Sequence, residues 1–234
     1  MSGAATSAST TSTSRPSGAG WPVAALVLLS AIPLSAGTLR LVQLSGGPDV
    51  MPADDRFTGF PVALVLHIVG SACFALFGIG QLLTRFRRRH RTWHRRMGRI
   101  LVLAGLAVVG SALWLTLGYP PHPGTGPVLL ASRVVVSLAT GTFLVLGFTA
   151  VRRRDITAHR AWMIRAYALA LGAGTQAFTE GATEAFVGVG ELSGDVAKLA
   201  GWLINLAIAE WAIRRPARDR RRSSARRVTA AGAR

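Results

Sequence analysis

The feature that most constrains this chain is the alternation of long apolar blocks with clusters of arginine. The blocks cover about 21–44, 61–83, 100–117, 128–150, 162–183 and 196–213. Each approaches the ~20 residues a helix needs to cross roughly 30 Å of hydrocarbon. The expected fold class is therefore all-α: a polytopic membrane protein with six transmembrane helices. The domain boundaries follow: a disordered Ser/Thr/Ala/Gly tail over 1–20, an integral membrane domain over 21–213, and a disordered Arg-rich tail over 214–234. The stretch WPVAALVLLSAIPLSAG could serve as a cleaved signal peptide. The reading adopted is a retained helix, because the apolar pattern continues through Leu39, Leu41, Val42 and Leu44.

Charge gives the orientation. The net charge is +17, and Lys198 is the only lysine among 27 basic residues. In a soluble chain this balance would point to nucleic acid, but no basic groove interleaved with aromatics is visible, so nucleic acid is excluded. The clusters instead flank the apolar blocks. Segment 85–99 holds eight Arg, 152–160 four, and the stretch after Ile213 nine. The intervening segments carry Asp49, Asp54, Asp55, Glu184, Glu191 and Asp195. The positive-inside rule places both termini in the cytoplasm. The arginines are expected to meet the bilayer's anionic lipid headgroups.

Inside the blocks, small and polar residues recur at helical spacing. The stretch 155–184 places Arg165, Gly172, Gln176, Thr179, Glu180 and Thr183 along one stripe. Such a stripe on a greasy helix faces protein or trapped water. The second span presents His67, Gly70, Phe74, Gly78 and Gln81, and the fourth Arg133, Ser137, Thr140, Leu144 and Gly147. Two segments, each an apolar helix, an Arg cluster, a turn and an HR pair, suggest a repeated hairpin. Spans two to five then form a four-helix core flanked by the other two.

At about 1.5 Å per residue, Arg40, His67, Arg133, Gln176 and Glu180 fall in one outer layer and are the candidate binding-pocket residues. Buried charge needs partners, so Arg133 is expected to pair with Glu180, and Glu210 with Arg165 or Arg99. His67 is expected either to bond a neighbouring helix, at Gln176 or Asn205, or to act in the pocket. His94 and His159 are matched in depth at the cytoplasmic end, where they could ligate one b-type haem. Cys73, alone, can form neither an intrachain disulfide nor a thiolate metal site. No metal site is expected. The chain has no Gly-rich phosphate loop, G-x-S-x-G or H-E-x-x-H, so no catalytic residue is assigned and an enzyme is not the favoured reading.

The ordered motifs RLVQL (40–44), P-x5-H (61–67), Gln81, WHRRMGR (93–99), WLTLGYP (114–120), Arg133, RRRD (152–155), HRAWMIRAYA (159–168), GAGTQ (172–176) and GW-x2-N-x4-EW (201–211) resemble a family of bacterial membrane proteins, domain of unknown function 2306. The resemblance covers about 25–215. It implies a multi-pass protein of the bacterial inner membrane and no established activity. Members often carry a His near the outer end of the fifth helix, where this chain has FTEGATE. The leading functional expectation is a non-catalytic bundle that binds or senses a small molecule through an outward-facing polar pocket. The alternatives are a redox protein with haem between His94 and His159, and a small transporter or proton-coupled permease.

Overall fold

The computed structural model describes residues 20–57 and 59–232, and the side chains of 24–57 and 59–215. The expected tail over 1–20 lies almost wholly outside the described residues. Eight helices follow in chain order: α1 (Gly20–Leu44), α2 (Val62–Leu82), α3 (Thr84–Arg89), α4 (Arg91–Leu117), α5 (Pro127–Arg152), α6 (Ile156–Ala170), α7 (Gly172–Phe186) and α8 (Glu191–Gly232). No strand occurs among the described residues.

Local chemistry sets several boundaries. Pro127 supplies the pre-set φ of a first helical residue to α5. Asp155 caps α6, its carboxylate accepting from the Ala158 amide at 2.9 Å. Arg154, between α5 and α6, adopts φ 63, a left-handed conformation rare outside glycine. The arginine segment 85–99 is not a loop. Leu83 and His90 leave the helical region, but the residues between them form α3, and α4 starts at Arg91. Likewise α8 continues as a helix to Gly232 through the tail expected to be irregular, a stretch rich in the strong helix formers Ala and Arg.

Among the described residues, five helices are long and apolar enough to cross a membrane: α1, α2, α4, α5 and the Glu191–Arg215 part of α8. The remaining span, expected to be continuous over 162–183, is interrupted at Leu171 and consists of α6 and α7. Together these still run along the first half of α8, from Lys198 to Glu210. Arg165 meets Glu210 at one end, Asn205 bonds Ala168 and Thr175 in the middle, and Glu180 meets Lys198 at the other. The interruption sits where backbones come close. A side chain at Gly172 would run into the Trp202 indole, and one at Gly174 into the carbonyl of Leu29 on α1.

The core is four-helical. Phe74 from α2, Leu101 from α4, Leu144 from α5, and Ala166 and Tyr167 from α6 form one buried cluster, extended by Leu171. Gly105 lets Leu144 and Phe74 approach; a methyl group there would lie 2.7 Å from Leu144 and 2.9 Å from Phe74. The helix α1 packs on α2 and α7, and α8 packs on α5, α6 and α7. Large apolar side chains such as Leu103, Val135, Leu138 and Ile208 face outward, as lipid contact requires.

Candidate functional site

The stripe on α6 and α7 faces α8. Arg165 Nε donates to Glu210 Oε1 while its guanidinium lies 4.7 Å from the Trp162 ring centre. Glu210 is also 3.3 Å from Arg214. Beyond the break, Gln176 Nε2 donates to the Lys198 carbonyl at 3.0 Å. The carboxylate of Glu180 pairs with the Lys198 ammonium. This corrects the expected Arg133–Glu180 pair: Lys198 lies directly opposite Glu180 on the antiparallel helix, whereas Arg133 belongs to α5. Arg133 has no ion pair among the described residues; Arg56, Asp195 and Glu180 are the charges near enough to act on it.

His67 bonds neither Gln176 nor Asn205. Its Nδ1 lies 3.2 Å from Ser111 Oγ on α4. The Ser111 hydroxyl donates to the Val108 carbonyl at 3.0 Å, so its proton is committed and His67 Nδ1 is the donor. Asn205 instead joins the two halves of the broken helix. Its Nδ2 donates to the Ala168 carbonyl at 3.1 Å, and its Oδ1 accepts from Thr175 Oγ1 at 2.7 Å. Ala168 is among the last four carbonyls of α6, which a helix end leaves without intrahelical donors.

Arg40 also leaves the expected pocket. It donates to Gln43 Oε1 and to the Pro52 carbonyl, both at 3.1 Å, and Gln43 donates to Asp49 and to the Met51 carbonyl. These bonds fold the segment after α1 back over its own helix end. The strap continues with Arg56, whose Nε and Nη2 donate to Asp54 at 2.7 and 2.6 Å. That pairing holds the Asp54 carboxyl below its ordinary value and raises Arg56. Phe57 then packs edge-on against Tyr119, centroids 4.8 Å apart.

Of the five expected pocket residues, Gln176 and Glu180 are brought together at Lys198, while Arg40 and His67 go to separate contacts. Of them only Glu180 lines the cleft at this end of the molecule. That cleft, of about 140 Å³, lies between the end of α7 and the start of α8. Its walls include Glu180, Thr183 and Glu184 on one side, Ser193 and Lys198 on the other, and Gly124 from the segment before α5.

Sequence reasoning missed Asp195. It is 1% exposed, on the first turns of α8, and reaches across to the start of α5. Oδ1 accepts from the Gly126 amide at 3.2 Å and Oδ2 from the Leu129 amide at 2.9 Å. No side chain local to α5 caps it. The acidic residue was legible; its pairing with a helix start 66 to 69 positions away was not.

At the arginine-rich end, His94 on α4 and His159 on α6 are close enough for their charges to interact. His159 Nδ1 donates to the Gly147 carbonyl at 2.8 Å, which leaves Nε2 as its free nitrogen. One turn further in, Met97, Met163 and Leu82 pack against the core cluster. Among the described residues no group of three or more His, Cys, Asp or Glu is placed to hold a metal ion.

No curated protein and no solved structure matches the chain. Residues 64–213, more than half of the chain, match the family described as "Predicted membrane protein (DUF2306)", leaving α1 and its RLVQL motif outside the match. The lipid-facing apolar surface and the helical bundle agree with that description, and the chain belongs to this family of predicted membrane proteins of unknown function.

Proposed function

We propose that the protein is a non-catalytic membrane protein of the bacterial inner membrane that binds or senses a small polar molecule at its outward-facing end, with both termini in the cytoplasm. The observation that supports this reading is the cleft between α7 and α8, which gathers two carboxylates, an ammonium and two hydroxyls on rigid helices. Glu180 and Lys198 neutralise each other. Glu184 adds a negative charge, so the complementary solute carries a positive charge and hydrogen-bonding groups on few heavy atoms. Melting of the purified protein, measured against small amines and amino acids, tests this. A stabilising solute whose effect is lost in Glu184→Gln supports the site, and the absence of any such solute refutes it.

The orientation is tested by labelling single cysteines at Asp54 and Asp155 in a Cys73→Ala background. Reaction of position 155 from outside intact cells would reverse the topology. An absorbance spectrum of the same preparation, grown with haem supplied, addresses the alternative at His94 and His159, which a Soret band would favour. The transport alternative has one observation behind it, the interrupted crossing at Leu171. Flux of the stabilising solute into liposomes would support it.

A further inference from the structure

Two buried polar atoms in the described structure have no hydrogen-bond partner: Gln81 Nε2 and His94 Nδ1. Such atoms are rare, because an unpaired buried donor costs about 1–3 kcal/mol. They belong to one place. Gln81 closes the last turn of α2, and its Oε1 lies 3.5 Å from where a methyl group on Gly98 of α4 would sit. His94 precedes Gly98 by four positions and so projects along the same face of α4. Both side chains therefore meet the α2–α4 seam at the arginine-rich end.

The surroundings select the missing partner. Gln81 Nε2 can only donate. The charges that act on His94 are Arg87, Arg95 and His159, all basic. Arg87 and Arg95 have no ion pair among the described residues. Arg87 is held near by the short helix α3, which folds against α4 through the edge-on contact of Phe86 with Trp93, centroids 4.9 Å apart. Gln81 Nε2, and His94 Nδ1 in the tautomer that carries its proton there, are donors among basic groups, which calls for an anion with several acceptor oxygens. The level is that of the membrane interface. Trp93 and Trp162 stand here, as interfacial tryptophans do, and the first core layer begins one turn deeper.

We propose that Gln81, His94 and Arg87 form a seat for a phosphate group. The same oxyanion chemistry is offered by the headgroup of an anionic phospholipid and by free phosphate. The seat is distinct from the cleft between α7 and α8, so the two stand or fall separately.

The test uses the full-length protein in detergent and reads melting temperature and bound mass against phosphatidylglycerol, phosphatidylcholine and inorganic phosphate. Phosphatidylglycerol is expected to bind and stabilise. Gln81→Glu, His94→Ala and Arg87→Ala each weaken it by roughly tenfold or more, the loss of one charge-assisted hydrogen bond. Arg88→Ala, on the exposed side of α3, weakens it by less than about threefold. Gln81→Glu is nearly isosteric, and an unchanged lipid-free melt shows that it folds. If inorganic phosphate reproduces the stabilisation and the variant pattern, free phosphate is the occupant and the seat is confirmed. Equal losses in Arg88→Ala and Arg87→Ala with His94→Ala unaffected would show diffuse charge and overturn the proposal. A Soret band that depends on His94 would overturn it as well.

Discussion

Replacing Asp195 with alanine removes the only side chain among the described residues that caps the start of α5, and its cost follows from the two bonds it makes. Each buried amide left without an acceptor loses about 1–3 kcal/mol. The Gly126 amide lies beside the segment preceding α5, where water can reach after the side chain is gone, so the lower half of that range applies to it. The expected total is about 2–5 kcal/mol. Asparagine retains one carbonyl acceptor and loses the charge that complements the positive helix start, for about 1–2 kcal/mol. Glu191, which lies next to Gly126 but makes no hydrogen bond to it, is expected to change stability by less than about 0.5 kcal/mol when replaced by alanine. Reversible unfolding in mixed micelles, followed by tryptophan fluorescence, measures all three. Asp195 also acts on Arg133, so Arg133→Met combined with Asp195→Asn should cost less than the sum of the singles. Wild-type stability in both Asp195 variants would refute the cap.

Further outcomes can be checked together. Asn205→Ala should cost about 2 kcal/mol by stranding the Ala168 carbonyl and the Thr175 hydroxyl, and should raise hydrogen exchange across 168–176; unchanged exchange there would show that the break does not depend on Asn205. Arg154→Gly should stabilise the protein by about 1 kcal/mol, since the left-handed turn at φ 63 suits glycine, and a loss of stability would show that the Arg154 side chain has a binding role. Gly126→Ala should destabilise through collision with Asp195 Oδ2, 2.5 Å from the added methyl group, and should cost less in an Asp195→Ala background, where only the flexible Glu191 carboxylate, 2.8 Å away, still has to move. The strap over 49–57 should loosen in acid. Its Asp54 carboxyl is held below the ordinary 3.8, so the stabilisation is fully present above that value and lost as pH falls through the lower folded one. Hydrogen exchange of 54–57 should rise in that window, and Asp54→Asn should show the loosened state at pH 7.

What could be read from the sequence was what depends on local period and sign of charge. The apolar blocks gave the helices, and the Gly and Ser positions at Gly70, Gly78 and Ser137 gave the buried faces. The stripe from Arg165 to Thr183 indicated a face turned toward protein, and α8 is what it meets. What could not be read depends on which residue stands opposite which. Glu180 has two basic residues at a plausible depth, Arg133 and Lys198, and helical spacing does not choose between them; the antiparallel register of α7 and α8 does. The same ignorance hid Asp195 and sent His67 to the wrong partner. The interruption at Leu171 was hidden for another reason. Hydropathy averages over the Gly172 and Gly174 positions and does not report that two other helices press on them.

That interruption divides the labour of the molecule by depth. Below Leu171 the chain belongs to a tightly filled four-helix unit, where Tyr167 spans from α6 to the Ala75 carbonyl at 2.8 Å. Above it the same crossing has changed company and lies between α1 and α8. A substitution in α7 therefore meets α1 and α8, and not the packing among α2, α4 and α5 in the lower unit. The upper end can be recut by mutation, residue by residue, while the packing that holds the lower four-helix unit together is left alone.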